Sequence, residues 1–205
     1  MKRIAIFMTA LAILATGCSK GKKFTLESDL ASANFDPETE SLILESDILP
    51  EPVTIPVQDG KFSYHGRLER PAAATLKGVG GKVSSQMLIL EKGVITFQDG
   101  LACGTEQNDD ASELLRSIRA IPKKHPGDRA ATTEEAVETV RKYIADHPKD
   151  ASSVLALAIA RRFASPEEMA QLIESVSPAV QIDTHVQQIK AVLKNRRPRP
   201  AADPE

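Results

Sequence analysis

The sequence predicts an α+β fold: an N-terminal antiparallel β-sandwich-like domain followed by a small helical segment. Three observations carry this expectation. Between Phe24 and about Thr105, short apolar stretches are punctuated every few residues by turn signals such as Asp59-Gly60, Lys92-Gly93 and Asp99-Gly100. After Asn108 the apolar spacing changes from two to about 3.6 residues. Helix-start signatures then recur through the second half, as in Ser165-Pro166-x-Glu168 and Ser177-Pro178.

The chain opens on a different signal. Lys2 and Arg3 precede an apolar stretch over residues 4–14, and Ala15-Thr16-Gly17 leads into Cys18. A basic start, a short apolar core and a small-residue junction form a secretory signal, expected over residues 1–17. As a helix the apolar core would reach about 16 Å at ~1.5 Å per residue, against a hydrocarbon layer about 30 Å thick. It is too short for a permanent span. Ala-Thr-Gly-Cys resembles a bacterial lipobox, so Cys18 is the expected lipidation site, with residues 18–23 as a lipidated tether. Two or more acyl chains anchor a protein stably, where one does not. The expected location is therefore the cell envelope, on the outer membrane and facing the periplasm, because Ser19 is not the acidic residue that favours inner-membrane retention.

The first expected strand contains Phe24-Thr25-Leu26, and Ser41-Leu42-Ile43-Leu44-Glu45 makes a second with a continuous apolar run. Residues 53–57 alternate, and Pro56 suits an edge, where no ladder N–H is needed. Asp59-Gly60 turns the chain into a strand over residues 61–68. Residues 73–77, 86–90 and 94–98 complete seven expected strands, the number and spacing of a sandwich or open barrel. This β-sandwich-like unit is assigned to residues 24–108.

The helical segment is assigned to residues 109–195. Asp110-x-x-Glu113 reads as a capping box opening a helix with Leu114, Leu115 and Ile118, broken at Pro122 to Gly127. Thr132-x-x-Glu135 reads as the cap of a second helix, with Ala136, Val140 and Ile144 on one face and His147-Pro148 at its end. Asp150 is placed to cap a third, apolar helix. Ser165 and Ser177, each followed by proline at the first helical position, start the next two. Val186, Ile189, Val192 and Leu193 mark the last. Residues 196–205, with three prolines and three arginines and no apolar period, read as a disordered tail.

Charge and composition narrow the function classes. The formal net charge is −2, and loss of Lys2 and Arg3 with the leader takes it to −4. Nucleic-acid binding is therefore not expected. With no tryptophan, two tyrosines and six phenylalanines, a sugar-binding platform of exposed rings is disfavoured. Once Cys18 is acylated, Cys103 is the one cysteine left, so self-contained dithiol exchange is excluded. Cys103 stays as a candidate reactive thiol, which would need a basic neighbour or a helix N-terminus to lower its pKa; a semi-buried structural role is the competing reading. His65, His125, His147 and His185 show no metal-ligand spacing, and neither a metal nor a cofactor is expected. Gly78-Val79-Gly80-Gly81-Lys82 lacks the phosphate-loop spacing and reads as a hairpin loop. Ser84 and Ser85 form no nucleophile elbow, and Asp109-Asp110 read as helix-capping acids. No catalytic residue is assigned.

Several phrases, in order, resemble a family of Bacteroidetes-type lipoproteins. These pair an N-terminal β-domain of unknown function and a helical segment with, usually, a C-terminal thioredoxin-like domain. The carrying residues are Phe24-Thr25-Leu26, then Val57-Gln58-Asp59-Gly60-Lys61-Phe62-Ser63-Tyr64-His65-Gly66, then Leu88-Ile89-Leu90-Glu91-Lys92-Gly93-Val94-Ile95 and Gly104-Thr105-Glu106-Gln107-Asn108-Asp109. Tyr143-Ile144-Ala145-Asp146-His147-Pro148 and Ser165-Pro166-Glu167-Glu168 are similar to its helical part. The family's redox chemistry belongs to the thioredoxin-like domain and its Cys-x-x-Cys, which this sequence lacks, so no oxidoreductase activity follows. The resemblance implies a non-enzymatic binding or scaffolding module on a membrane, using a sheet face or the groove between the two halves. The alternative it implies is an accessory to thiol-disulfide or peroxide metabolism whose protein partner is a separate thioredoxin-like protein. The oligomeric state is left open.

Overall fold

The computed structural model describes residues 21–195. The expected leader, the lipidation site Cys18 and the tail over 196–205 lie outside the described residues, as does the tether before Gly21. Eight strands precede six helices: β1 (Lys22–Asp29), β2 (Ser41–Ser46), β3 (Val53–Pro56), β4 (Lys61–Leu68), β5 (Ala72–Val79), β6 (Ser85–Leu90), β7 (Gly93–Gln98), β8 (Leu101–Cys103), then α1 (Glu106–Lys124), α2 (Arg129–Asp146), α3 (Ser152–Ala160), α4 (Pro166–Ser175), α5 (Pro178–Gln181) and α6 (Thr184–Asn195). The mixed α+β class, strands first and helices after, is as the sequence predicts.

The strands form two sheets of four, ordered β4-β1-β7-β8 and β3-β2-β5-β6. All named pairings are antiparallel except β1 with β7, which run parallel from Phe24 opposite Gly93. The parallel pair follows from chain direction. β6 reverses through Glu91-Lys92 into β7, which crosses to the other sheet and there meets β1 running the same way. Alternate residues point inward from both sheets: Phe24 and Leu26, Leu42 and Leu44, Leu76, Leu88 and Leu90, Ile95 and Phe97 pack into one core. Burying each such side chain stabilises by roughly 1.5–3 kcal/mol. A short turn after β1, fixed by Leu30 N–H to Gly60 O and Ala33 N–H to Asp29 O, adds Leu30, Ala33 and Phe35 to that core.

The helices pack on the outer face of the second sheet. Ala73 of β5 and Ile89 of β6 point away from the sandwich and are fully buried among Leu114, Ile118, Val140, Ile144, Leu155 and Leu172. The molecule is thus three layers, with the second sheet in the middle.

Several helix starts differ from the sequence reading. α1 begins at Glu106, so Asp110 lies inside it and caps nothing; Asp109 instead accepts from the Gly104 N–H at 2.9 Å. The helix also runs through Pro122 to Lys124. The cap of α2 is Asp128, which accepts from Ala131 N–H, and not Thr132, whose hydroxyl donates to the Asp128 carbonyl. Glu135 is therefore free to bond Lys124 and His125. At α3 the capping position is Ala151, and the Asp150 carboxylate turns to His147 Nδ1 at 3.0 Å. The capping box at Ser165 and the helix start at Ser177-Pro178, whose hydroxyl accepts from Val180 N–H, form as read. The expected boundary between residues 108 and 109 falls within the first turn of α1.

Candidate functional site: a groove where the two sheets meet the helices

The site is built on three small polar residues at helical spacing, Thr105, Asn108 and Ser112, which line one side of the α1 start. β6 is the last strand of one sheet and β8 the last of the other, so both present an edge. The first turns of α1 fasten to both. The Asn108 amide accepts from Ile89 N–H at 2.9 Å and donates to Ile89 O at 2.7 Å. It also donates to Thr105 Oγ1 at 2.8 Å and lies 3.3 Å from Glu91 Oε1, which takes the Asn108 backbone N–H at 3.1 Å. Ser112 Oγ donates to Ala102 O of β8 at 2.6 Å. Asn108 is 1 % exposed, and Glu91 and Thr105 are buried with it. Every polar atom of the Asn108 side chain is engaged, as burial requires.

Beyond Asn108 the same crevice opens into a groove with a cavity of about 220 Å³. One wall is Gln86 and Met87 of β6, another the β7–β8 turn at Gly100 and Leu101. Leu115 and Arg119 of α1, Leu155 and Ile159 of α3, and Arg162 in the turn after α3 close it. Among the described residues, the lining holds two guanidinium groups and no carboxylate. Both arginines are exposed, and neither forms an ion pair with a described residue. An apolar floor with convergent charges at its mouth is a binding geometry: the floor supplies desolvation and the planar guanidinium forks supply orientation for an anion.

Cys103 lies on β8, outside this groove and half-buried. Its Sγ is 3.3 Å from Thr96 Oγ1 and 3.7 Å from Thr96 O on the neighbouring strand, and neither neighbour is basic. The four histidines are dispersed. His65 meets Thr25, His125 meets Glu135, His147 meets Asp150, and His185 bridges Thr75 and Asp183. Among the described residues no three metal-binding side chains converge. The glycine-rich stretch closes the β5–β6 hairpin through Gly78 N–H to Ser84 O, with Gly80 and Gly81 at positive φ. Ser85 is exposed, and the buried Ser84 hydroxyl has no partner.

Two further polar clusters sit among the helices. Burial pushes the Tyr143 phenol up to about 12; the Ser152 hydroxyl works against that shift, and the charges of Asp110, Asp150 and Glu91 add to it. Neither the Tyr143 nor the Ser152 hydroxyl completes a hydrogen bond, and His147 stacks on the Tyr143 ring at 4.5 Å. At the other edge of the helical layer, burial and the nearby Asp183 charge push the Asp47 carboxyl above its usual value, while Arg70 and His185 oppose them. The second cluster joins the helical layer to the sheet through His185 and Thr75.

The groove was only partly legible. The sequence points to a junction between the halves, but it singles out Cys103 and not Asn108, Ser112, Arg119 or Arg162. The available signal was the Thr105–Asn108–Ser112 stripe, which a helix starting at Asp110 conceals. No protein-family model matches the chain, and neither a curated protein nor a solved structure was found to match it.

Proposed function

We propose that the protein is a membrane-anchored periplasmic lipoprotein that acts as a non-catalytic binding module, with the sheet–helix groove as its binding surface. The observation that carries this reading is the combination of an apolar floor with two guanidinium groups that have no acidic partner among the described residues. Placement supports it too. Gly21 abuts Leu68 at the end where β1 and β7 begin, whereas the groove includes Gly100, beyond the end of β7. A tether leading to Cys18 would leave from the opposite end and keep the groove open. No helix among the described residues is long and apolar enough to cross a membrane, so attachment by lipid is the route the leader offers.

The test uses the full chain in its native membranes. A photo-crosslinking amino acid is placed at Leu115 in the groove, and as a control at Glu134 on the exposed face of α2. A discrete adduct from Leu115 and none from Glu134 is the expected result. Equal labelling at both positions, or none at either, overturns the groove as the binding surface. Anchoring is tested separately: Cys18→Ala should release the protein from the membrane fraction, and a variant that stays bound removes the lipid from the account.

A further inference from the structure

We infer that the groove holds a small amphipathic anion, an apolar body of about eight carbons ending in a carboxylate that meets Arg119 and Arg162. This rests on the binding reading of the groove and names the class of its ligand. Size sets the body. A cavity of about 150 Å³ takes up benzene, so the 220 Å³ here suits about eight or nine carbons. The wall decides where polarity can sit. Leu101 and Leu155 are buried in it, and Met87 and Ile159 are half-buried. Its two buried polar side chains are already used, Asn108 on Ile89 and Ser112 on the Ala102 carbonyl. Neither is left to receive a polar group, so the body is apolar and the charge stays with the exposed arginines.

The sign of the charge follows from α1. Its acids, Glu106, Asp109, Asp110 and Glu113, all precede Leu114, and its cations, Arg116, Arg119, Lys123 and Lys124, all follow Leu115. Arg116 and Lys123 stand three before and four after Arg119, on the same face of the helix. Of the four cations, Lys124 alone has an acidic partner among the described residues, Glu135. Arg161 adjoins Arg162 and is likewise exposed without an ion pair to a described residue. Asp99 and Glu113, next in sequence to Gly100 and Ser112, do not line the cavity. The groove is thus a positive site on a chain of net charge −2. A guanidinium fork matches the two oxygens of a carboxylate, and an ammonium group is repelled there.

The probes are the straight-chain carboxylates from butanoate to dodecanoate, with octan-1-ol and octylammonium as neutral and cationic counterparts. Each is titrated by calorimetry into the full chain in phosphatidylcholine nanodiscs, with empty discs subtracted. Affinity should rise about fourfold per methylene while the cavity fills and level off at about eight or nine carbons. Octan-1-ol should bind about tenfold more weakly than octanoate, and Arg119→Glu with Arg162→Glu should cost octanoate about tenfold. Both arginines are exposed, so the double variant keeps the fold; octylammonium should bind it better than the original chain, a gain that unfolding cannot produce. Affinity that climbs through dodecanoate without levelling reports partition into the bilayer and overturns the assignment. So does octanol binding as tightly as octanoate, an unchanged double variant, or no binding of any carboxylate. In native membranes the Leu115 adduct should add the mass of one carboxylic acid. A protein-sized adduct overturns the ligand class and leaves the binding reading standing, whereas loss of the adduct altogether removes both.

Discussion

Asn108 ties the start of α1 to the edge of β6 and to the buried Glu91. Its amide closes the exposed edge of β6, its backbone N–H satisfies the buried Glu91, and its position on α1 sets where the groove begins. Truncating it leaves Ile89 N–H and Ile89 O without their partner, each a buried group costing ~1–3 kcal/mol when unmet, while Glu91 Oε1 keeps the backbone N–H of residue 108. Asn108→Ala should therefore lose about 3 kcal/mol or more in urea unfolding, far beyond the effect of a surface substitution. A loss below ~0.5 kcal/mol, the surface range, would mean water replaces the amide. A second residue-scale expectation concerns Asp47. Its carboxyl is raised above the usual 3.8 in the folded chain, by burial first and the Asp183 charge second. Between 3.8 and the raised value the folded state then holds more protons than the unfolded one, so this group's contribution to stability falls as pH rises through that window. Asp47→Asn cannot ionise. It should gain stability relative to the original chain above the window and show no relative gain below pH 3.8, read as urea midpoints at pH 3 and pH 7. A relative loss at pH 7 would show that the Arg70 contact at 3.8 Å outweighs burial.

At the scale of elements, the turn between β8 and α1 is the least forgiving. Gly104 has φ +89, and a Cβ there would stand 2.7 Å from the Val94 carbonyl oxygen. Gly104→Ala combines a backbone conformation that L residues avoid with a contact against main chain, so a loss of roughly 2 kcal/mol is expected. Ser165→Ala at the α4 box should cost about 1 kcal/mol, because one cap bond is lost and the helix otherwise stays packed. Thermal unfolding of the two variants should rank them in that order; the reverse order would mean that the β8–α1 turn relaxes. These two sites also show what was readable in advance. The α4 box forms as the sequence indicates because its two hydrogen bonds run between Ser165 and Glu168 themselves. The α1 and α2 starts were misplaced because Asp109, Asp110 and Glu135 have tertiary or inter-element partners that a local pattern does not reveal. β8 went unseen because three residues carry no period, and its pairing with Thr96–Gln98 depends on the preceding turn. For the groove, the relevant arginines, one on α1 and one in the turn after α3, are more than forty positions apart in sequence, and only the packing of α1 beside α3 brings them to one cavity.

At the scale of the whole molecule, the β5–β6 side of the second sheet is buried on both faces, and this couples the halves. The signature lies in the unbroken apolar runs Ala72-Ala73-Ala74 and Leu88-Ile89-Leu90, where alternate residues face the sandwich core and the helical core. A one-sided sheet would alternate with polar residues instead. Ile89 is the residue to perturb, being 0 % exposed and part of the helical core while its strand neighbours Leu88 and Leu90 belong to the sandwich core. Ile89→Ala removes apolar volume from the layer junction and should cost about 2–5 kcal/mol, the range for a large core truncation. If the layers fold as one unit, the loss appears in both. Hydrogen exchange should speed up by a similar factor at the interior amides of α3 and at Leu26 and Leu44, which lie in the opposite core, and calorimetry should keep a single transition. Acceleration confined to α3, with the amides of β1 and β2 unchanged, would instead show a sandwich that is stable alone beneath a separately melting helical layer. In that case the groove would open whenever the helices detach, and its shape would be set by their local stability and not by the fold as a whole.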